Sequence, residues 1–219
     1  MPAANGWDMN LLLIRHADPD YAADTITEVG QRQAAALAAA LSRVRLEGLY
    51  TSPLGRARAT AHPIAETQGL EATLLPWMRE LNANWTGQRW AWNMPGAEAL
   101  AAGVLPRMDD WHERVPYGAL LFPQWQRLAS HFDEFMAGLG YTREGLRYRV
   151  TAPNPGTYAI VAHAGANLTL LSHLLHWPLP LVYVHLACDP TSITELRWEE
   201  YGGYAVPRAI RVNDTAHLR

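Results

Sequence analysis

The chain of 219 residues is 49% hydrophobic and carries a net charge of −3, with 18 basic residues that are all arginine. That length and apolar content suit one α/β domain with an insertion, residues 1–219, and the mild acidity gives no general attraction to nucleic acid or anionic membranes. Without lysine a P-loop is excluded, and with Cys188 as the single cysteine so are an intrachain disulfide and a Cys-rich zinc site.

Residues 1–9 read as a polar leader, and the run Leu11-Leu12-Leu13-Ile14 is too short for a signal or membrane segment. A soluble, cytoplasmic protein is expected. The same run has the pattern of a strand buried on both faces, and it leads directly into Arg15-His16 and a turn-prone Asp18-Pro19-Asp20. Thr27-Glu28 supplies an N-cap and a first-turn acid for an alanine-rich helix reaching about Arg43. A second strand, Gly48 to Thr51, ends at Ser52-Pro53, read as N-cap and first helical residue of a helix carrying Arg56. The strand Ala72 to Leu75 leads to Glu80.

Beyond it, roughly 82–117 is irregular and rich in Gly, Pro and Trp; five of the nine tryptophans fall between residues 85 and 125. A helix over 121–139 follows, from the spacing of Leu121, Trp125, Leu128, Phe132 and Phe135, with Gly140 as its C-cap. Thr157 to Ala162 reads as a central strand ending at His163, Asn167 to His176 as a helix, and Ile193–Trp198 with Tyr204–Val212 as a hairpin turning at Tyr201-Gly202-Gly203. The alternation of strands and helices predicts a three-layer α/β/α sandwich around a mainly parallel sheet, with 82–156 inserted as a helical and loop cap.

Arg15-His16, Arg56, Glu80 and His163 all fall at strand ends or the helix starts just after them, the edge where open α/β sheets bind ligands. Leu-Leu-Ile-Arg-His-Ala (12–17), Thr-Glu-Val-Gly-Gln-Arg-Gln-Ala (27–34), Tyr-Thr-Ser-Pro-Leu-Gly-Arg-Ala-Arg-Ala-Thr-Ala (50–61), Arg-Glu-Leu (79–81) with Trp-Thr-Gly (85–87), Val-Ala-His-Ala-Gly (161–165) and Ser-Ile-Thr-Glu-Leu-Arg-Trp (192–198) succeed one another along the chain. In kind and order these segments resemble the histidine phosphatase superfamily, which includes phosphoglycerate-mutase-like enzymes. The resemblance implies a phosphoric monoester hydrolase using His16 as nucleophile and Glu80 as general acid/base. Arg15, Arg56, His163 and the backbone of Ala164 would bind phosphate, with no metal and no cofactor. A small phosphorylated metabolite is the expected partner, and a homo-oligomer is left open. The family's glycines after its two histidines are Ala17 and Ala164 here, and Ala22 stands where the mutases carry asparagine. These departures favour hydrolysis over mutase activity; a catalytically weak binder of phosphoryl ligands is the rival from another class.

Asp18, Trp85 and Trp90 are candidates for the substrate pocket, and Asp18 and Glu98 are substitutes for Glu80 as proton donor. The tryptophans at 85, 90, 92 and 111 equally suit packing. Arg143, Arg147 and Arg149 read as a solvated basic face, and His173 and His176 as structural, since their spacing on one helix suggests no third metal ligand.

Overall fold

The computed structural model describes residues 8–81, 89–114 and 117–219, so Trp85 lies outside the described residues. The first strand, β1 (Met9–Arg15), meets a small loop hairpin of β2 (Pro19–Asp20) and β3 (Thr25–Ile26). Helix α1 (Glu28–Leu41) starts at Thr27, whose side chain accepts the Gly30 N–H. Then come β4 (Gly48–Thr51), α2 (Gly55–Gln68), β5 (Ala72–Leu74) and the short α3 (Gly96–Ala99). The long α4 (Gly118–Gly138) precedes β6 (Tyr141–Glu144), β7 (Arg147–Val150), β8 (Thr157–Ala162), α5 (Ala164–Leu175) and α6 (Leu179–His185). The hairpin of β9 (Ile193–Tyr201) and β10 (Tyr204–Asp214) closes the domain, turning at Gly202 and Gly203, both at positive φ as a two-residue turn requires.

One eight-stranded sheet has the order β5-β4-β8-β1-β9-β10-β7-β6. Strands β5, β4, β8 and β1 run parallel, and the antiparallel β9, β10, β7 and β6 extend the sheet beyond them. Because strand side chains alternate, β1 feeds two cores. Leu12 and Ile14 pack with Leu37, Leu41 and Ile64 of α1 and α2, while Leu11 and Leu13 pack with Leu128 and Phe132 of α4 and Leu170 of α5. The sandwich therefore has helices on both faces, and β1 is buried on each, as its unbroken apolar run anticipated.

The segment 82–156 is not of one kind. Its helix α4 forms part of one helical layer, and β6 and β7 join the main sheet through β10. These two strands are four residues each and carry three arginines, so they lack the apolar run by which a strand is recognised. The arginines serve the surface: Arg143 lies over Tyr148, Arg147 over Tyr204, and Arg149 pairs with Glu144. Two helix starts also move. Helix α5 begins at Ala164, directly after His163, and α2 begins at Gly55 with Leu54 as its cap.

Candidate active site

Adjacent strands β1 and β8 are parallel and in register, Arg15 opposite Ala162, so His16 and His163 lie one residue past the last pair. Two imidazoles 147 positions apart in the chain (163 minus 16) meet edge to face with centroids 5.1 Å apart, each 2% exposed or less. Next along the sheet, β4 brings Ser52 to the same edge, where its backbone N–H donates to Val161.

The His16 tautomer follows from its partner. His16 Nδ1 lies 2.7 Å from the Ala17 carbonyl oxygen, which can only accept, so Nδ1 carries the proton and Nε2 keeps its lone pair. Burial pushes the His16 pKa down to about 4; the Ala17 hydrogen bond opposes this, and Arg15 and Arg56 reinforce it. The ring is thus neutral at physiological pH. His163 Nε2 lies 2.7 Å from Ser52 Oγ, an oxygen that also accepts the Leu54 N–H. A hydroxyl both donates and accepts, so the His163 proton is on Nδ1 when the Ser52 hydroxyl donates to Nε2. Burial, His16 and the nearby arginines lower the His163 pKa to about 2.

Each arginine is held by one terminal nitrogen. Arg15 Nη1 donates to the Cys188 carbonyl at 2.7 Å, and Arg56 Nη1 to Asp24 Oδ1 at the same distance. Tyr21 lies over the Arg56 guanidinium, 5.3 Å away. Asp24 also accepts the Gly55 N–H; burial disfavours its charge, but this bond and Arg56 outweigh it and lower its pKa. Gly55 has to be glycine here, since a Cβ would run into the Asp24 carbonyl. The consequence is that Arg15 Nε, Arg56 Nε and His163 Nδ1 are all buried without a protein acceptor. Buried polar groups left this way are costly unless a ligand pairs with them; Arg15 and Arg56 both line the cavity that His16 faces, while His163 stands behind His16 and does not line it.

Glu80 enters from the loop after β5. Its Oε1 accepts the Leu81 and Ala166 N–H groups at 3.0 Å, and its Oε2 the Gly165 N–H at 3.2 Å, so the carboxyl sits against the N-terminus of α5. Burial raises its pKa above the ordinary carboxyl value against these three donors and Arg56. At Gly165 an added Cβ would come within 2.6 Å of Glu80 Oε1 and 2.7 Å of the Trp92 ring, so the glycine permits the close approach of both.

Arg15, His16, Arg56, Glu80, Trp90 and Ala164 line a single cavity of about 790 Å³. Ala17 and Ala164 are absent from the residues at positive φ, so neither position needs glycine. Asp18 does not line this cavity: its carboxylate accepts the Thr27 hydroxyl at 2.6 Å and braces the loop. Glu98 pairs instead with Arg89, and Trp111 is core, 1% exposed against Phe122 and Trp125. His173 bonds Asp133 and His176 the Leu146 carbonyl, and among the described residues no three metal-ligating side chains converge. Sequence reading missed Asp24, Tyr21, Asn93 and Tyr183. Ser52, expected as a helix cap, instead bonds His163 Nε2.

The model of the histidine phosphatase superfamily (branch 1) matches residues 11–211. A curated relative, the probable phosphoglycerate mutase GpmB of Yersinia enterocolitica, is 29% identical over 227 aligned positions, covering 96% of this chain and 95% of that one. Among solved structures, phosphoserine phosphatase of Entamoeba histolytica in complex with 3-phosphoglyceric acid superposes with a TM-score of 0.66 at 19% identity, covering 96% of this chain and all of that one. Mycobacterial glucosyl-3-phosphoglycerate phosphatase also gives 0.66, at 22% identity, covering 94% and 99%. With the sheet, the paired histidines and the matched span in agreement, this chain belongs to the histidine phosphatase superfamily, branch 1.

Proposed function

We propose that this protein hydrolyses phosphomonoesters through a phosphohistidine on His16, without a metal. The observation that carries the reading is the trio of buried, unpartnered nitrogens, Arg15 Nε, Arg56 Nε and His163 Nδ1, beside a neutral imidazole with a free Nε2. In the first step the Nε2 lone pair attacks phosphorus. The bond from phosphorus to the ester oxygen breaks, and the Glu80 carboxyl gives its proton to the leaving alkoxide. The two guanidinium groups and His163 neutralise charge on the phosphoryl oxygens, a role a divalent cation fills in other enzymes. In the second step water attacks the phosphohistidine and loses a proton to the Glu80 carboxylate. The N–P bond breaks, inorganic phosphate leaves, and both residues return to their starting states.

The raised pKa of Glu80 and the lowered pKa of His16 suit these roles, since the acid must start protonated and the nucleophile neutral. The test is rapid quench with a labelled phosphomonoester in EDTA. Acid-labile, base-stable label on wild-type protein, absent from His16→Ala, is expected; turnover with no such label would sink the proposal. Because a full-length relative carries a mutase name, mutase activity is the second reading. It requires a bisphosphate primer to raise turnover of a monophosphoglycerate, and hydrolysis unaffected by primer argues against it.

A further inference from the structure

The cavity is larger than a phosphoryl group needs, and its remaining wall has a definite chemistry. Trp90 and Trp92 stack with planes 4° apart and centroids at 5.1 Å, and Trp92 meets Tyr183 edge to face at 6.5 Å. Leu168 and Leu186 complete an apolar surface, with Asn93 as a neutral polar group at its margin. The Tyr183 hydroxyl is already bonded to Thr169.

Charge is distributed unevenly. The only cations among the described lining residues are Arg15 and Arg56, both at the phosphoryl end. The other ionisable groups besides the His16 imidazole are two carboxyls, Glu80 and Asp189, a thiol and two tyrosine hydroxyls. Residues 82–88 and 115–116 contain no basic side chain, so they bring no cation to this cavity. Arg89 pairs with Glu98, and Arg79 lines the neighbouring hollow with Trp77 and Arg127, which meets this cavity at Glu80. A carboxylate on the leaving group would therefore lose water without gaining a counter-ion, and would face Glu80 and Asp189.

We infer that the leaving-group half of this cavity selects a neutral, apolar or aromatic alcohol, so that the substrate is a phosphomonoester whose only anionic group is the phosphoryl. The inference rests on the phosphatase reading for the position of the ester bond. It adds that carboxylated esters, such as the 3-phosphoglyceric acid bound by the Entamoeba protein, are disfavoured here. A flat ring inserted against the tryptophan pair gains both buried area and ring–ring contact.

Phosphonates provide the test, because they have no scissile ester and report the pocket alone. Binding of methylphosphonate, benzylphosphonate and 4-carboxybenzylphosphonate to the wild-type protein is measured by calorimetry at constant ionic strength. Benzylphosphonate is expected to bind about tenfold more tightly than either of the others. Trp90→Leu should remove most of its advantage over methylphosphonate. Equal or tighter binding of the carboxylated compound, no gain from the ring, or no binding by any of the three overturns the inference. Loss of the phosphohistidine label with the phosphonate preference intact would instead strike the hydrolytic reading.

Discussion

The two ends of the cavity are built differently. At the phosphoryl end, Arg15, His16, Ser52 and His163 hang from three adjacent parallel strands, and both imidazoles are almost wholly removed from water. At the leaving-group end, Trp90, Trp92 and Asn93 come from a stretch whose regular elements, Ala91–Asn93 and Gly96–Ala99, span three and four residues. Recognition of a charge requires donors fixed before the anion arrives, because donors that must reorganise lose most of their advantage. Recognition of an apolar group depends on area and shape, which short, partly exposed segments can provide. Under the proposed hydrolysis the first end would serve many esters, and the second would decide which of them enters.

Substitutions separate the two ends. The largest effect is expected from His16→Ala, a loss in kcat of about 10⁴-fold or more, with vanadate still binding because both arginines remain. Steady-state kinetics with vanadate titration checks both halves of that statement. Glu80→Gln should cost about 10³-fold and change the pH profile. In the wild type, kcat/KM is expected to rise with pH as His16 loses its proton near pH 4, then to fall as Glu80 loses the proton it must donate, above the ordinary carboxyl range. Glutamine cannot titrate, so the alkaline fall should disappear while the acid rise stays.

Gly165→Ala joins the two ends, since its Cβ would press on both Glu80 and Trp92. A displaced acid should lower kcat by about 10²-fold. A variant retaining full kcat would show that the Glu80 position tolerates movement. Asp24→Asn, the mildest, loosens one hold on Arg56 and should weaken inhibition by inorganic phosphate about tenfold, with little change in kcat. An unchanged inhibition constant would mean that Tyr21 and local packing suffice to hold the guanidinium.

Much of this was legible in the chain itself. The apolar run before Arg15-His16, the strand before His163 and the helix carrying Arg56 all took their expected places, because burial on two faces and helix periodicity leave strong local traces. Trp90 lines the cavity. Other features were hidden for physical reasons. Strands β6 and β7 are short and arginine-rich, so their pairing depends on β10 rather than on their own pattern. Helix α6 is only seven residues long, which periodicity cannot resolve.

By itself the sequence determined which residue types were available: arginine without lysine, two histidines each ending an apolar strand, and a stretch rich in tryptophan. Those properties are covalent and local. Only the tertiary structure decided that Nδ1 of His16 is the protonated nitrogen, that Asp24 rather than Asp18 serves the site, that Ser52 turns to His163, and that Glu80 rests on the start of α5. Each of these depends on which groups share a few ångströms after folding, and hydrogen bonds act only at that range.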